Sequence, residues 1–297
     1  MADTLQNYLE QNKEQQLQEL KDFLKIPSIS ALSKHKQDML KAASWLSDEL
    51  RNIGMENVQI METDGHPVVY ADWLHAEGKP TVLIYGHYDV QPVDPLSLWE
   101  TPPFEPSVRD GKIYARGASD DKGQVFMHVK ALEALFKTDG KLPINVKLLI
   151  EGEEEIGSPH LPSFIEKNKE LLKADVLVIS DTGMIEKGKP SITYGLRGLT
   201  GLQIDIQGAN SDLHSGAYGG GVQNAAHALV QLLSTFHDEN GRILVEGFYD
   251  NVLPITEEEK NAIEALQLDD EKVREELGVP ELFGEPGYNF YERTSYR

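Results

Sequence analysis

Apolar residues recur along this chain with two different periods. At the start, Leu5, Tyr8, Leu9, Leu17, Leu20 and Leu24 return at three- and four-residue steps, which predicts an amphipathic helix. From about residue 67 short apolar runs alternate with helical patterns. "TVLIYG" (81–86), "INVKLLIEG" (144–152) and "VLVISD" (176–181) are compact and rich in β-formers. "QVFMHVKALEALF" (124–136) and "LPSFIEKNKELL" (161–172) between them have helical spacing. Strands separated by helices predict an α/β fold, a mostly parallel sheet with helices on both faces.

The pattern changes at 188–208. Leu202, Ile204 and Ile206 alternate with Gln203, Asp205 and Gln207, as expected of a half-exposed sheet. A helix is expected over 221–236, and an acidic, solvated helical region over 256–277. A boundary therefore falls near 187–198. It divides the chain into a larger domain, 1–192, and a smaller α+β domain, 193–297.

Composition narrows the function. With 297 residues and 40% hydrophobic, the chain can build a substantial core. No apolar run reaches the length of a membrane span, and the first residues lack the basic start and apolar stretch of a signal peptide. There is no cysteine, so disulfides and thiolate metal sites are excluded and a cytoplasmic setting is expected. The formal charge of −21 repels phosphate backbones, so neither nucleic acid nor a membrane is an expected partner.

In open parallel sheets, ligands sit at the carboxyl ends of the strands. Each of the three apolar runs delivers metal-ligand residue types there: His87 and Asp89 after the first, Glu153, Glu154 and Glu155 after the second, Asp181 after the third. Asp120 and Asp121 in "ARGASDDKGQ" precede a helix. Taken singly, Asp120 suits a helix N-cap, Asp181 a turn, His87 a half-buried bonded histidine, and the glutamates a solvated loop. Together they predict a metal site. Histidine with carboxylates suits zinc, manganese or cobalt, and the carboxylates suffice for two ions roughly 3.5–4 Å apart with one bridging ligand. Asp89 is placed to orient His87. Of the adjacent Glu154 and Glu155, one can ligate while the other acts as base. Glu151 closes its strand, and Glu153 is expected to be solvated or to support its neighbours.

"GHYDVQP" (86–92), "GASDDKG" (117–123), "EGEEEIGS" (151–158), "VISD" (178–181) and "HSG" (214–216) resemble, in this order, the motifs of the M20 family of dinuclear zinc peptidases. "GHYDVQP" and Asp121 resemble its carnosinase-type dipeptidase branch. The resemblance implies a zinc-peptidase-like catalytic domain with a lid domain, acting as a homodimer through the lid on small peptides. It implies that His87 and Asp181 bind one metal, that Asp120 bridges both, that Glu155 binds the second, and that Asp89 orients His87. Glu154 becomes the general base for hydrolysis of a dipeptide bond by a metal-activated water. His214 lies on the lid and helps stabilise the transition state, and the Asp120–Asp121 peptide is cis. In the family the chain returns from the lid and supplies a further histidine to the second metal. Here the sequence stops at Arg297, so both domains are expected to be incomplete at their C-terminal ends. The alternatives are an N-acyl amino acid deacylase of the same family and a catalytically incomplete metal-binding fragment.

Overall fold

The computed structural model describes residues 2–185, 188–193, 195–196 and 198–296. It divides into two compact units, Met1–Ser191 and Ile192–Arg297. Of the expected boundary stretch 187–198, Lys187, Tyr194 and Arg197 lie outside the described residues.

The first unit is a sheet between two layers of helix. Helices α1 (Ala2–Leu24), α2 (Lys36–Ile53) and α3 (Lys122–Asp139) cover one face; α4 (Leu161–Lys167) and α5 (Lys169–Leu172) cover the other. The strands are β1 (Glu56–Met61), β2 (Val68–Trp73), β3 (Thr81–His87), β6 (Asn145–Glu151) and β7 (Val176–Ile179), in the order β1-β2-β6-β3-β7. A separate small hairpin joins β4 (Ser107–Arg109) to β5 (Lys112–Tyr114). The three strands expected from sequence are the parallel ones, β6-β3-β7. Two antiparallel strands, β1 and β2, extend the sheet beyond β6.

Alternation along the strands sorts the core. Val69, Ala71 and Trp73 of β2, Ile84 of β3, and Val146, Leu148 and Ile150 of β6 face α1–α3. They meet Phe23, Met39, Ala43, Leu46, Leu50, Val125, Val129 and Leu132. Val68, Tyr70, Leu83 and Leu149 point the other way, onto Phe164 and Leu172. Helix α2 buries Met39, Ala42, Ala43, Leu46, Leu50 and Ile53, a stripe at helical spacing, and ends at Gly54, whose φ of 107° is one that side chains resist.

Two buried lysines close helix ends. Lys122 donates from Nζ to Phe23 O (3.2 Å) and Ile26 O (2.7 Å) at the end of α1. Lys147 donates to Leu171 O (2.5 Å) and Lys173 O (2.8 Å) at the end of α5. Each satisfies carbonyls that the helix itself cannot.

The second unit holds α6 (Ser215–Tyr218), α7 (Ala225–Leu233), α8 (Glu257–Ala265), α9 (Asp270–Leu277) and α10 (Phe290–Tyr296). Their starts follow from capping residues: Asn224 for α7, the Thr256–Glu259 capping box for α8, and Asp269 for α9. The sheet expected over 188–208 does not form among the described residues. A strand needs a neighbour for its N–H and C=O groups and a cover for its apolar face. Among the described residues Leu202 is 82% exposed and only Ile206 of the alternating set is part-buried, so the apolar side of the alternation lacks a continuous cover.

Lys130 on α3 ties the helical layer together. Its ammonium meets Glu19 of α1 at 2.6 Å, Glu49 of α2, and Glu133 of α3 at 2.9 Å, all at side chains less than one-third exposed. Removing the cation leaves three crowded, half-buried carboxylates. Lys130→Met is expected to lower unfolding free energy by about 3 kcal/mol in urea titration; a loss below about 1 kcal/mol would mean that the cluster is effectively solvated.

Candidate metal centre

The parallel strands β6, β3 and β7 end side by side. Their register pairs His87 with Glu151 on one side and Tyr85 with Ile179 on the other. The central strand therefore presents His87 between the 153–155 turn and Asp181. The loop before α3 adds Asp120 from above, across a cis Asp120–Asp121 peptide.

His87 is fully buried and held at three points. Its backbone N–H donates to Asp121 Oδ2 (3.1 Å). Its Nδ1 faces Asp89, 3.0 Å from the carbonyl oxygen and 3.2 Å from Oδ1. Its Nε2 looks out at three carboxylates: Asp120 Oδ1 at 3.1 Å, Asp181 Oδ2 at 3.6 Å and Glu154 Oε2 at 3.8 Å. His87, Asp120 and Asp181 each offer a donor atom within 4.8 Å of the others. Gly86 makes this approach possible, since a Cβ there would stand 2.6 Å from Asp121 Oδ2 and from Val125 Cγ2.

The four glutamates of "EGEEE" divide into two pairs. Glu151 and Glu153 turn into the protein. Glu151 accepts from Tyr85 OH (2.5 Å) and Ser158 Oγ (2.8 Å). Glu153 is 5% exposed; it accepts from the His66 N–H (3.2 Å) and pairs with His160 Nδ1 (2.8 Å). A solvated Glu153 is thus corrected: a histidine and a backbone amide wait for it, and it locks the turn. Glu154 and Glu155 face the site. Their backbone N–H groups both donate to the Asp89 carboxylate, at 3.3 and 3.1 Å. Asp89 therefore joins the imidazole to the glutamate turn. The Glu155 carboxylate accepts from Gln91 N–H (3.2 Å) and Gln91 Nε2 (2.8 Å), and stands outside the His87–Asp120–Asp181 trio.

Sequence reasoning did not find Asp121 or Gln91 as organisers of the site, and left Glu153 between a solvated and a supporting role. Asp121 and Gln91 had a signal, since each neighbours a chemical residue inside a motif. Of the partners that decide for Glu153, His160 is seven residues on and His66 is 87 residues back, and neither spacing belongs to a motif. His214 belongs to the second unit. It caps α6, its Nδ1 accepting from the Gly216 N–H at 3.1 Å.

The electrostatics register a lack of positive charge. Burial alone would lower the His87 pKa; the hydrogen bond and charge of Asp89, with the charges of Asp121 and Glu154, push it up to about 10. Burial raises Asp121 to about 7. Burial also raises Glu154, Glu155 and Asp181, and neighbouring carboxylates add to each. A dication held by one imidazole and carboxylate oxygens would relieve this repulsion, and the nitrogen–oxygen donor set fits such an ion. A second trio, Glu19, Glu49 and Glu133, also lies within ligand reach of one another. Lys130 already supplies the cation there.

Comparison with known proteins places these residues in a wider group. The sequence profile of Peptidase family M20/M25/M40 matches residues 83–283, more than half of the chain. The chain is 36% identical to the Beta-Ala-His dipeptidase of Homo sapiens over 281 residues, covering 90% of this chain and 55% of that protein. It is 34% identical to a Cys-Gly metallodipeptidase of Candida albicans, covering 91% of this chain and 59% of that protein. The chain thus spans a little over half the length of these relatives. Its fold superposes with a TM-score of 0.73 on an M20 family metallo-carboxypeptidase of Sulfolobus solfataricus, at 39% identity, covering 93% of this chain and 61% of that one. Among the described residues, no helix is long and apolar enough to cross a membrane.

Asp121 gives the metal-free site a pH signature. Its unfolded carboxyl titrates near 4 and its folded one at about 7, so in that window the native state holds a proton the unfolded state has lost. Stability is therefore expected to fall as pH rises from 4 to 7, by up to roughly 4 kcal/mol from this group. Urea midpoints in chelator should show the slope, and Asp121→Asn should remove most of it; an equal slope in the variant would assign it elsewhere.

Proposed function

The chain belongs to Peptidase family M20/M25/M40, and from that membership we propose that it carries the metal-binding and proton-transfer groups of a metal-dependent dipeptidase. The observation that carries this reading is the convergence of Asp120, Asp181 and Glu154 on one buried imidazole nitrogen. His87, Asp120 and Asp181 would hold a divalent ion, with Asp120 shared and Glu155 serving a second; zinc is the first choice, with manganese or cobalt able to substitute. Such ions supply Lewis acidity, which polarises a scissile carbonyl and acidifies water.

The residues do the rest. Glu154 stands 3.8 Å from His87 Nε2 and is not committed to any other side chain by a hydrogen bond among the described residues. It takes the proton from the attacking water and delivers it to the leaving amine. Its pKa, raised by burial and by Glu155 and Asp181, suits a group that must both accept and return a proton. Asp89 acts twice, orienting the His87 ring and fixing the backbone beneath Glu154 and Glu155. We assign this chemistry to residues 1–192. Residues 193–297 are assigned to a lid, through which two copies pair and on which His214 serves the transition state. A cytoplasmic setting is compatible, since a chain without cysteine needs no oxidising compartment.

The relatives named for dipeptidase activity favour a dipeptide substrate over an N-acyl amino acid. In a preparation that turns over dipeptides, Glu154→Gln is expected to lower kcat by about 10²- to 10⁴-fold with metal content unchanged by elemental analysis. Near-native turnover by that variant would remove Glu154 from the role. A panel of β-alanyl and cysteinyl dipeptides, longer peptides, and acetyl or succinyl amino acids should show the dipeptides with the highest kcat/KM; preference for the acyl amino acids would reverse the substrate reading.

A further inference from the structure

Asp181 is the least supported of the carboxylates around His87. It follows β7, an edge strand whose ladder to β3 ends at Ile179. The side chains of that strand pack little: Val176, Leu177 and Ile179 are each about half exposed. Past the ladder, the Thr182 N–H donates to Ser180 O (2.7 Å), a bond within the turn that ties it to nothing else. Yet Asp181 Oδ2 lies 3.6 Å from His87 Nε2, close enough to matter to any ion there.

Among the described residues, a side-chain hydrogen bond from α3 joins the turn to the body of the unit. His128 Nε2 lies 2.8 Å from Ser180 Oγ. His128 sits on α3, six residues into the helix whose first turn begins at Lys122, directly after Asp120 and Asp121. Val125, Val129 and Leu132 anchor that helix on the sheet. We propose that His128 is a positioning residue: through Ser180 it fixes the end of β7, so that α3 sets both carboxylates flanking His87, Asp120 through its own N-terminus and Asp181 through the imidazole. Burial holds the His128 pKa below its usual value, consistent with a neutral ring sharing one hydrogen bond with a hydroxyl.

The inference rests on the metal reading above, and its test separates the two. Native chain, His128→Ala, Ser180→Ala, the double variant and Asp181→Asn are titrated with Co²⁺ and followed by visible absorption. Each single latch variant is expected to bind Co²⁺ 10- to 100-fold more weakly, with its spectrum moved toward that of Asp181→Asn. The double variant should be no weaker than the weaker single one, because both changes break the same contact. Unchanged affinity and spectrum in the single variants, or a lowered melting temperature with an unmoved spectrum, overturns the proposal. In metal-free chain, amide hydrogen exchange over 179–182 should quicken by a similar factor in both single variants; unaltered exchange also overturns it. A native chain showing no Co²⁺ band dependent on Asp181 sinks the metal reading instead, and the exchange measurement then decides the latch by itself.

Discussion

A fully buried imidazole with carboxylates at both ring nitrogens is the constraint from which the first unit is organised. Burying such a group is costly unless its hydrogen bonds are met and its orientation fixed. Every nearby element answers that demand. Strand β3 places His87 in the middle of three parallel ends; the α3 N-terminus takes its amide through Asp121; Asp89 takes its inner nitrogen and then carries the glutamate turn on the same carboxylate. The outer nitrogen faces Asp120, Asp181 and Glu154, and among the described residues no Lys or Arg pairs with these three carboxylates.

Much of this was legible in the sequence, for a physical reason. Compact runs of β-forming apolar residues read as strands whether central and buried, as β6, or at the edge and half exposed, as β7, so 81–86, 144–152 and 176–181 announced themselves and the residues after them could be collected. Strands β1 and β2 were not read. β1 exposes most of its residues, and β2 contains Asp72, which is buried because Tyr70 OH and Asn57 Nδ2 donate to it. A polar residue satisfied by a partner fifteen positions away leaves no periodic trace. The same limit left Glu153 open between solvated and supporting: His66, 87 residues away, donates its N–H to it, and His160 closes on it from the far side of the turn.

The alternation at 188–208 was legible and still misled. Alternating polarity records which faces a strand would present, whereas forming the strand depends on what lies beside it. Among the described residues this stretch forms no strand, and its leucines Leu196, Leu199 and Leu202 stay in water. Of the second unit's helices, α7 lies inside the helix expected over 221–236, and α8 and α9 divide the acidic region expected over 256–277; α6 and α10 were not expected.

Lys122 adds a constraint of another kind. Its ammonium holds the carbonyls of Phe23 and Ile26, while Ser28 Oγ donates to Tyr88 O at 2.7 Å and the Val90 N–H returns to Ser28 O at 2.9 Å. The few residues leaving α1 are thus stitched at one end to the residue after Asp121 and at the other to the residues flanking Asp89. That connection has a fixed length, as a strap buckled at both ends does. Adding or removing one residue between Leu24 and Ser28 would force one buckle open beside the metal centre. Helix α1, remote from His87 in sequence, therefore has a C-terminal end whose length the candidate site dictates.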